Sequence, residues 1–541
     1  MTPTFNAEAG GKRWVRRYQD LASFLKSVPA IPLVFFFCSA FLVLFRFQAL
    51  FFPPYWDAVM GPFTEAIWLS ENKFDFIKLA TQVPGYLDGG ARIYLYFSIY
   101  PALQAIFMTL IKNVKTFLFL NHLIAIGFAS ASVALYYQAA AAAIGRRFAA
   151  FASALLFFNP LFLSQAYAIN MEMPALFFSI AAVYCLIKEK PAGAALLMFF
   201  SFLIKYYAVT ASLACVLIFL CVDMKHPVRF QTRTAFAGIF ALPCLIHLLE
   251  RIVSERCFHL SGDSRATFFP DSVEWMRKGA FFLTSPDLAL LWLFALIGSV
   301  HFLLRYRREI TSGSISFLVR PPETATVKLV PAENRLPFYS AILCILLTGV
   351  FYLEARFLPR YTLFFLPWML FMVVFELKRR CPSRAPLFIL IALAFYGMNM
   401  WGQIYSGLIF PYDVNAQGGH FLERTLAYED DMNANRALVR LLETKYKGRN
   451  IIATMPIAPI LISPQFGYVD EPRRVATAGR RCFVWQNVPD LGSIDPKDPE
   501  WKNAVWVFSG NIFSADLARL FFSRTLTDTV RCGAKVIYLF A

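Results

Sequence analysis

Long uncharged runs recur along this chain, and they constrain it more than any other feature. The first, Ile31 to Phe52, is about 33 Å long as a helix, enough to cross the hydrocarbon core of a bilayer. Others follow at Phe117 to Ala143, Phe148 to Met171, Met173 to Ile187, Pro191 to Val222, Ala235 to Leu249, Phe281 to Leu304, Leu336 to Leu353, Tyr361 to Phe375 and Pro386 to Phe410. One soluble core cannot bury them all. The 541 residues are 58% hydrophobic and 16% charged, where a soluble domain is nearer half apolar and a quarter charged. The chain therefore reads as a polytopic α-helical membrane protein, and the composition excludes an ordinary soluble enzyme or a disordered scaffold.

Two runs need interpretation. Ile31 to Phe52 is too long for a signal-peptide core and lacks a small-residue cleavage site, so an uncleaved first span is expected. Pro191 to Val222 contains Lys205, and a charge at mid-bilayer costs on the order of 3 kcal/mol. Two short helices turning at the surface around Lys205 fit better.

Charge sets the sidedness. The formal net charge is +17. If Ile93 to Ile111 does not cross, all the later basic loops share one side with the basic N-terminus, as the positive-inside rule requires. That segment is accordingly expected to be an interfacial helix, its Tyr94, Tyr96 and Tyr100 suiting the headgroup zone. The cytoplasmic segments then hold 22 Lys and Arg against 8 Asp and Glu, so most of the net charge reports topology rather than a nucleic-acid partner. About eleven spans result, with the N-terminus cytoplasmic and the C-terminus outside.

The expected organisation is a basic cytoplasmic N-terminus (1–30), a membrane domain (31–410) with a long first outer loop (53–116), and an extracytoplasmic tail (411–541). The tail combines a polar helical stretch, Phe421 to Lys447, with strand-like runs at Asn450 to Met455, Ala504 to Phe508 and Lys535 to Phe540, and reads as a small α/β domain. Its two cysteines, Cys482 and Cys532, are expected to form a disulfide if the outside is oxidising, stabilising by roughly 4 kcal/mol.

Several outer residues suit chemistry. Asp57 follows the first span in Pro53-Pro54-Tyr55-Trp56-Asp57, where aromatics that exclude water would raise a carboxylate's pKa and make it a base; the same residues equally suit an interfacial belt with a helix cap. Glu172 lies at an outer turn ahead of Pro174, either as a second functional acid or as a helix cap. Lys205, followed by Tyr206 and Tyr207, and the loop with Arg356, Arg360 and Tyr361 place cations on the outer side, where topology gives no reason for them. They suit a phosphate or pyrophosphate at headgroup level, or snorkelling to lipid headgroups. Taken jointly, two carboxylates and three cations on one face favour a site. The tail arginines Arg473, Arg474, Arg480 and Arg481 suit an anionic acceptor or a solvated loop. No phosphate-binding glycine loop, serine elbow or metal signature is present; no cofactor is predicted, and a divalent metal would have to bind without one.

This layout resembles the GT-C superfamily of polyprenyl-phosphate-sugar glycosyltransferases, closest to its aminoarabinose transferase and protein O-mannosyltransferase branch. The resemblance spans Ile31 to Phe410. It rests on the acidic residue after the first span, the interfacial helix, the turn Gly145-Arg146-Arg147, Glu172 before a short span, Lys205 in Leu-Ile-Lys-Tyr-Tyr, and Arg360-Tyr361-Thr-Leu-Phe-Phe-Leu-Pro367 before a late span. The interfacial helix opens on Gly90-Ala-Arg92-Ile-Tyr94 in place of the group's His-Pro-Pro-Leu. The resemblance implies Asp57 as general base, Glu172 as a second acid, and Lys205, Arg356, Arg360, Tyr361 and Arg92 around a donor phosphate. The implied function is inverting transfer of a sugar from a polyprenyl-phosphate donor to a lipid, glycan or protein acceptor on the outer face of the cytoplasmic membrane. Two alternatives are a surface-polysaccharide ligase or polymerase and a lipid-linked sugar transporter. A transporter predicts ionisable residues at mid-span and inverted repeats; Arg46 alone lies clearly within a run, and no repeat is visible.

Overall fold

The computed structural model describes residues 30–54, 58–59, 62–82, 99–205, 238–246, 249, 291–305, 332–353, 359–400, 426–454, 457–477, 499–509, 525–533 and 535–540. They form a mostly helical body and a small sheet. The helices used below are α1 (Ala30–Phe45), α2 (Pro62–Glu71), α3 (Phe76–Gln82), α4 (Ile99–Leu110), α5 (Val114–Phe157), α6 (Pro160–Tyr167), α7 (Glu172–Ile187), α8 (Pro191–Ile204), α9 (Leu291–Arg305), α10 (Ala332–Leu353), α11 (Leu366–Arg380), α12 (Ala385–Asn399) and α13 (Glu429–Thr444).

The body is built around α5. Its start is fixed by Asn113, whose side chain accepts from the Thr116 N–H at 3.0 Å, satisfying one of the free donors of a first helical turn. Gly145 interrupts α5 at φ +78° and ψ 158°, a backbone state open to glycine. The expected turn at Gly145-Arg146-Arg147 is therefore a sharp kink joining two helical segments. After a second break, α6 starts on the Asn159 cap and Pro160. It then meets α7 at a bend of 117° through 168–171.

Among the described residues α5 is the one helix long and apolar enough to cross a membrane, α6 and α7 pass together as a bent pair, and α1, α4, α8, α9, 335–346 of α10 and α12 are shorter apolar helices. The run Ile31 to Phe52 is not one helix. It is α1 followed by a 3-10 turn, Phe47–Phe51, so Arg46 marks a helix end rather than a mid-span position. At 12 residues and about 18 Å, α4 is too short to span and packs against α2.

The helices share one apolar core, in which Tyr136 donates to the Pro367 carbonyl at 2.8 Å and Tyr167 to the Leu42 carbonyl at 2.7 Å. Their outward faces are also apolar: Phe36, Phe37 and Leu44 on α1, Leu293 and Ile297 on α9, and Leu387, Leu390 and Ile391 on α12 are all more than half exposed. Contiguous surfaces of this kind are excluded from water in soluble monomers and suit lipid.

Charged contacts collect at the helix ends. At one end Arg335 pairs with Glu189, Lys378 lies 5.9 Å from the Phe148 ring centre, and Arg379 and Arg380 both reach Glu376. The other end carries Arg46, the 168–171 turn, Lys205 and Arg360, and it is the end that the tail covers. There Arg46 pairs with Glu429 at the start of α13, and a second core joins Val59, Phe63 and Ile67 of the first loop, Leu118 of α5 and Ile169 to Leu438, Ile460 and Phe466 of the tail.

The tail sheet has five strands, β1 (Ile451–Ala453), β2 (Val475–Thr477), β3 (Val505–Ser509), β4 (Leu526–Cys532) and β5 (Lys535–Phe540), in the order β2-β1-β3-β5-β4. The β2, β1 and β3 strands are parallel, and β5 pairs antiparallel with both β3 and β4. The three runs expected from sequence correspond to β1, β3 and β5. Helix α13 packs on β4 and β5, where Lys535 and Asp431 form an ion pair at 2.5 Å with both side chains 2% exposed.

Candidate active site

At the tail-covered end, three residues from three separate elements converge. Glu172 is the first residue of α7, with no side-chain cap before it. Its carboxylate reaches Lys205 and Arg360 and lies within the favourable field of the α7 N-terminus. Lys205 follows the last residue of α8 in an extended conformation (φ −145°, ψ 120°), and the second short helix expected after it lies outside the described residues. Antiparallel packing of α7 and α8, locked by a 2.7 Å hydrogen bond from the Ser201 hydroxyl to the Ala175 carbonyl, brings that α8 terminus beside Glu172. Arg360 comes from the 3-10 turn Pro359–Phe364 that leads into α11.

Lys205 Nζ donates to Glu172 Oε1 at 2.8 Å, and Arg360 Nε lies 2.9 Å from the same oxygen. Glu172 is 0% exposed, Arg360 4% and Lys205 7%. Tyr361 roofs the cations, its ring centre 5.7 Å from Lys205 Nζ and 5.5 Å from the Arg360 guanidinium carbon. Such placement over an aromatic face adds attraction once water is excluded. Glu172 Oε2 has no hydrogen-bond partner among the described residues. Among the described residues, one carboxylate holds two cations, so these three buried side chains sum to +1, and a buried site of this kind favours an anionic ligand.

The sequence reading thus brings Glu172, Lys205, Arg360 and Tyr361 together, but with a different internal arrangement. The cations are not simply aimed at solvent or headgroups; both are held by Glu172, which orients them. Asp57, Arg92, Arg356 and Cys482 lie outside the described residues. Cys532, on β4, is a free thiol.

Two residues of α4 face the body core near Glu172. Tyr100 and Gln104 are buried one helical turn apart, hydrogen-bonded to each other, and Tyr100 is within electrostatic reach of Glu172. Burial pushes the Tyr100 hydroxyl above the ordinary phenol range, and the Glu172 carboxylate raises it further. The i, i+4 spacing of Tyr100 and Gln104 on one face of a helix otherwise read as interfacial was the available signal.

The chain before the expected base is fixed carbonyl by carbonyl. Arg436 of α13 donates to the Phe51 carbonyl at 3.1 Å, His122 Nε2 of α5 to the Phe52 carbonyl at 2.9 Å, and Tyr468 Oη to the Pro54 carbonyl at 3.1 Å. A carbonyl partner requires the His122 tautomer with its proton on Nε2. Among the described residues no group of three or more His, Cys, Asp or Glu side chains is arranged to hold a metal.

No family profile matches this sequence, and no curated protein matches it. Solved structures similar to it include ArnT from Cupriavidus metallidurans in the apo state, at TM-score 0.47 and 13% identity over 92% of this chain and 97% of that one. ArnT bound to undecaprenyl phosphate scores 0.44 at 13% identity, covering 92% and 96%. The archaeal oligosaccharyltransferase AglB from Archaeoglobus fulgidus, in complex with an inhibitory peptide and a dolichol-phosphate, scores 0.39 at 12% identity over 85% of this chain and 64% of that one.

Proposed function

We propose that this protein is an integral-membrane glycosyltransferase that moves a sugar from a polyprenyl-phosphate donor to an acceptor hydroxyl at the outer face of the cytoplasmic membrane. The observation that carries the proposal is the buried convergence of two cations, Lys205 and Arg360, on Glu172 at a helix end, beside the first loop. A donor phosphodiester bears one negative charge, and a released polyprenyl phosphate monoester bears close to two. Two buried cations fixed on one carboxylate therefore stabilise the departing phosphate more than the bound donor, and that difference accelerates transfer.

In the proposed step the acceptor oxygen attacks the anomeric carbon from the face opposite the phosphate. The carbon–oxygen bond to phosphate breaks with its electron pair, the acceptor hydroxyl proton passes to Asp57, and the anomeric configuration inverts. No general acid is needed, because the leaving group is already an anion held by cations. Lys205 and Arg360 receive the phosphate, Tyr361 excludes water above them, and Glu172 fixes their geometry, with Arg356 and Arg92 as further cations from the same loops. The chain would then have about eleven spans, the ends rich in Lys and Arg in the cytoplasm, and the 411–541 region outside.

The test is transfer by reconstituted protein from polyprenyl-phosphate-linked sugars. Asp57→Asn should cut turnover to a small residual rate while leaving donor binding, and Arg360→Ala should lose both. Folded variants that transfer at the wild-type rate would overturn the mechanism.

A further inference from the structure

Among the described contacts between tail and body, one set holds the backbone that leads from the end of α1 toward Asp57. Three hydrogen bonds hold it, to the carbonyls of Phe51, Phe52 and Pro54, and two of the three donors, Arg436 and Tyr468, belong to the tail. The Arg436 guanidinium carbon also lies 4.8 Å from the Phe52 ring centre, so the contact is a stacked clamp rather than one exposed bond. On the other side of Asp57, Ala58 and Val59 are buried at 3% and 1% in the same core as Leu438, Ile460 and Phe466 of the tail. Asp57 is one peptide bond from Ala58 and three residues from Pro54, so both flanks of the expected base are anchored on the tail.

We propose that the tail is a positioning domain for the general base, with Arg436 and Tyr468 as positioning residues that hold the Phe51–Pro54 backbone leading to Asp57 against the body; this rests on the function proposed above. Neither side chain need touch substrate. Their contribution is to hold the base in one place without reorganisation at the moment of proton transfer, where small misplacements are expensive. Backbone carbonyls as the points of attachment suit this role, because they fix the path of the chain and leave its side chains free for the reaction.

The experiment uses the full chain in liposomes and reads two quantities. Tyr468→Phe deletes only the hydroxyl and Arg436→Ala only the clamp; Arg436→Lys keeps a donor and should recover part of the loss. Each deletion should lower kcat by about threefold to tenfold, the effect of one lost hydrogen bond, with KM for the polyprenyl-phosphate donor unchanged. In an Asp57→Asn background neither should lower the residual rate further. The second quantity does not need turnover. With Asp57→Cys as a reporter, labelling of that position by a membrane-impermeant maleimide, followed by peptide mass spectrometry, should rise when Arg436→Ala or Tyr468→Phe is added. Unchanged labelling overturns the clamp, and raised labelling with unchanged kcat overturns its role in positioning. Absence of any transfer by the wild type refutes the proposed function instead, and labelling alone then decides whether the clamp exists.

Discussion

Replacing Glu172 by glutamine should destabilise this protein more than deleting either cation it holds. The carboxylate oxygen lies 2.8 Å from Lys205 Nζ and 2.9 Å from Arg360 Nε. At an effective dielectric of about 20 each contact is worth roughly 6 kcal/mol of gross attraction, most of which offsets the desolvation of three buried ions. The net effect follows from the charge left behind. Counting these three side chains, Glu172→Gln takes the sum from +1 to +2, whereas Arg360→Ala or Lys205→Ala takes it to zero. Removing the carboxylate that both cations share should therefore cost about 3–5 kcal/mol, the range for breaking a buried pair, and removing one cation distinctly less. Thermal unfolding in one detergent, followed by intrinsic fluorescence, should rank the midpoints wild type, then Arg360→Ala and Lys205→Ala, then Glu172→Gln lowest. Added polyprenyl phosphate should raise the Glu172→Gln midpoint more than that of the wild type, because it supplies the missing anion, and should leave Arg360→Ala nearly unmoved. An Arg360→Ala variant as unstable as Glu172→Gln would refute the charge count.

Three further outcomes concern the tail. Asp431→Asn should cost about 3–5 kcal/mol by leaving Lys535 charged in a buried site, while the double change Asp431→Leu and Lys535→Met should regain most of it, read from denaturant unfolding of the full chain. Gly533→Ala should destabilise the β4–β5 turn by about 1–2 kcal/mol, since φ is +53° there and a Cβ would lie 1.8 Å from Asp430 Oδ2; the check is hydrogen exchange of the two strands. The Asp528 carboxyl is held below its ordinary value of 3.8 by hydrogen bonds from Lys445, at 2.7 Å, and from Tyr446. Folded Asp528 thus binds its proton less tightly than unfolded Asp528. Its stabilisation of the hairpin is present above pH 3.8 and is lost as pH falls through the lower folded value, a dependence that Asp528→Asn should remove from hydrogen exchange across β4.

Local signals carried the features that sequence disclosed. The Gly145-Arg146-Arg147 turn, the end of α8 at Lys205, the short helix after Glu172 and the strands β1, β3 and β5 all follow from residue type and periodicity over a few positions. Strand β4 escaped because it lies at a sheet edge with polar residues, and in Leu526–Cys532 Val530 is the one buried side chain. Strand β2 escaped because it is three residues long, directly after Arg473 and Arg474. Arg46 was read as lying inside an apolar run because nothing local marks the helix end, and its partner Glu429 is 383 residues away. The site shows the same division. Residue type and sidedness grouped Glu172 with Lys205 and Arg360, whereas the sharing of one carboxylate by both cations depends on three elements meeting, which no spacing encodes.

The central claim is that this cluster binds the phosphate of a polyprenyl lipid. Native mass spectrometry of gently extracted protein supplied with polyprenyl phosphate tests it most directly. The wild type should retain one lipid per chain, and Arg360→Ala, folded by its melting curve, should lose it by at least about tenfold, as expected for removing a charged phosphate contact. Equal retention by the two proteins, or none by the wild type, would contradict the account.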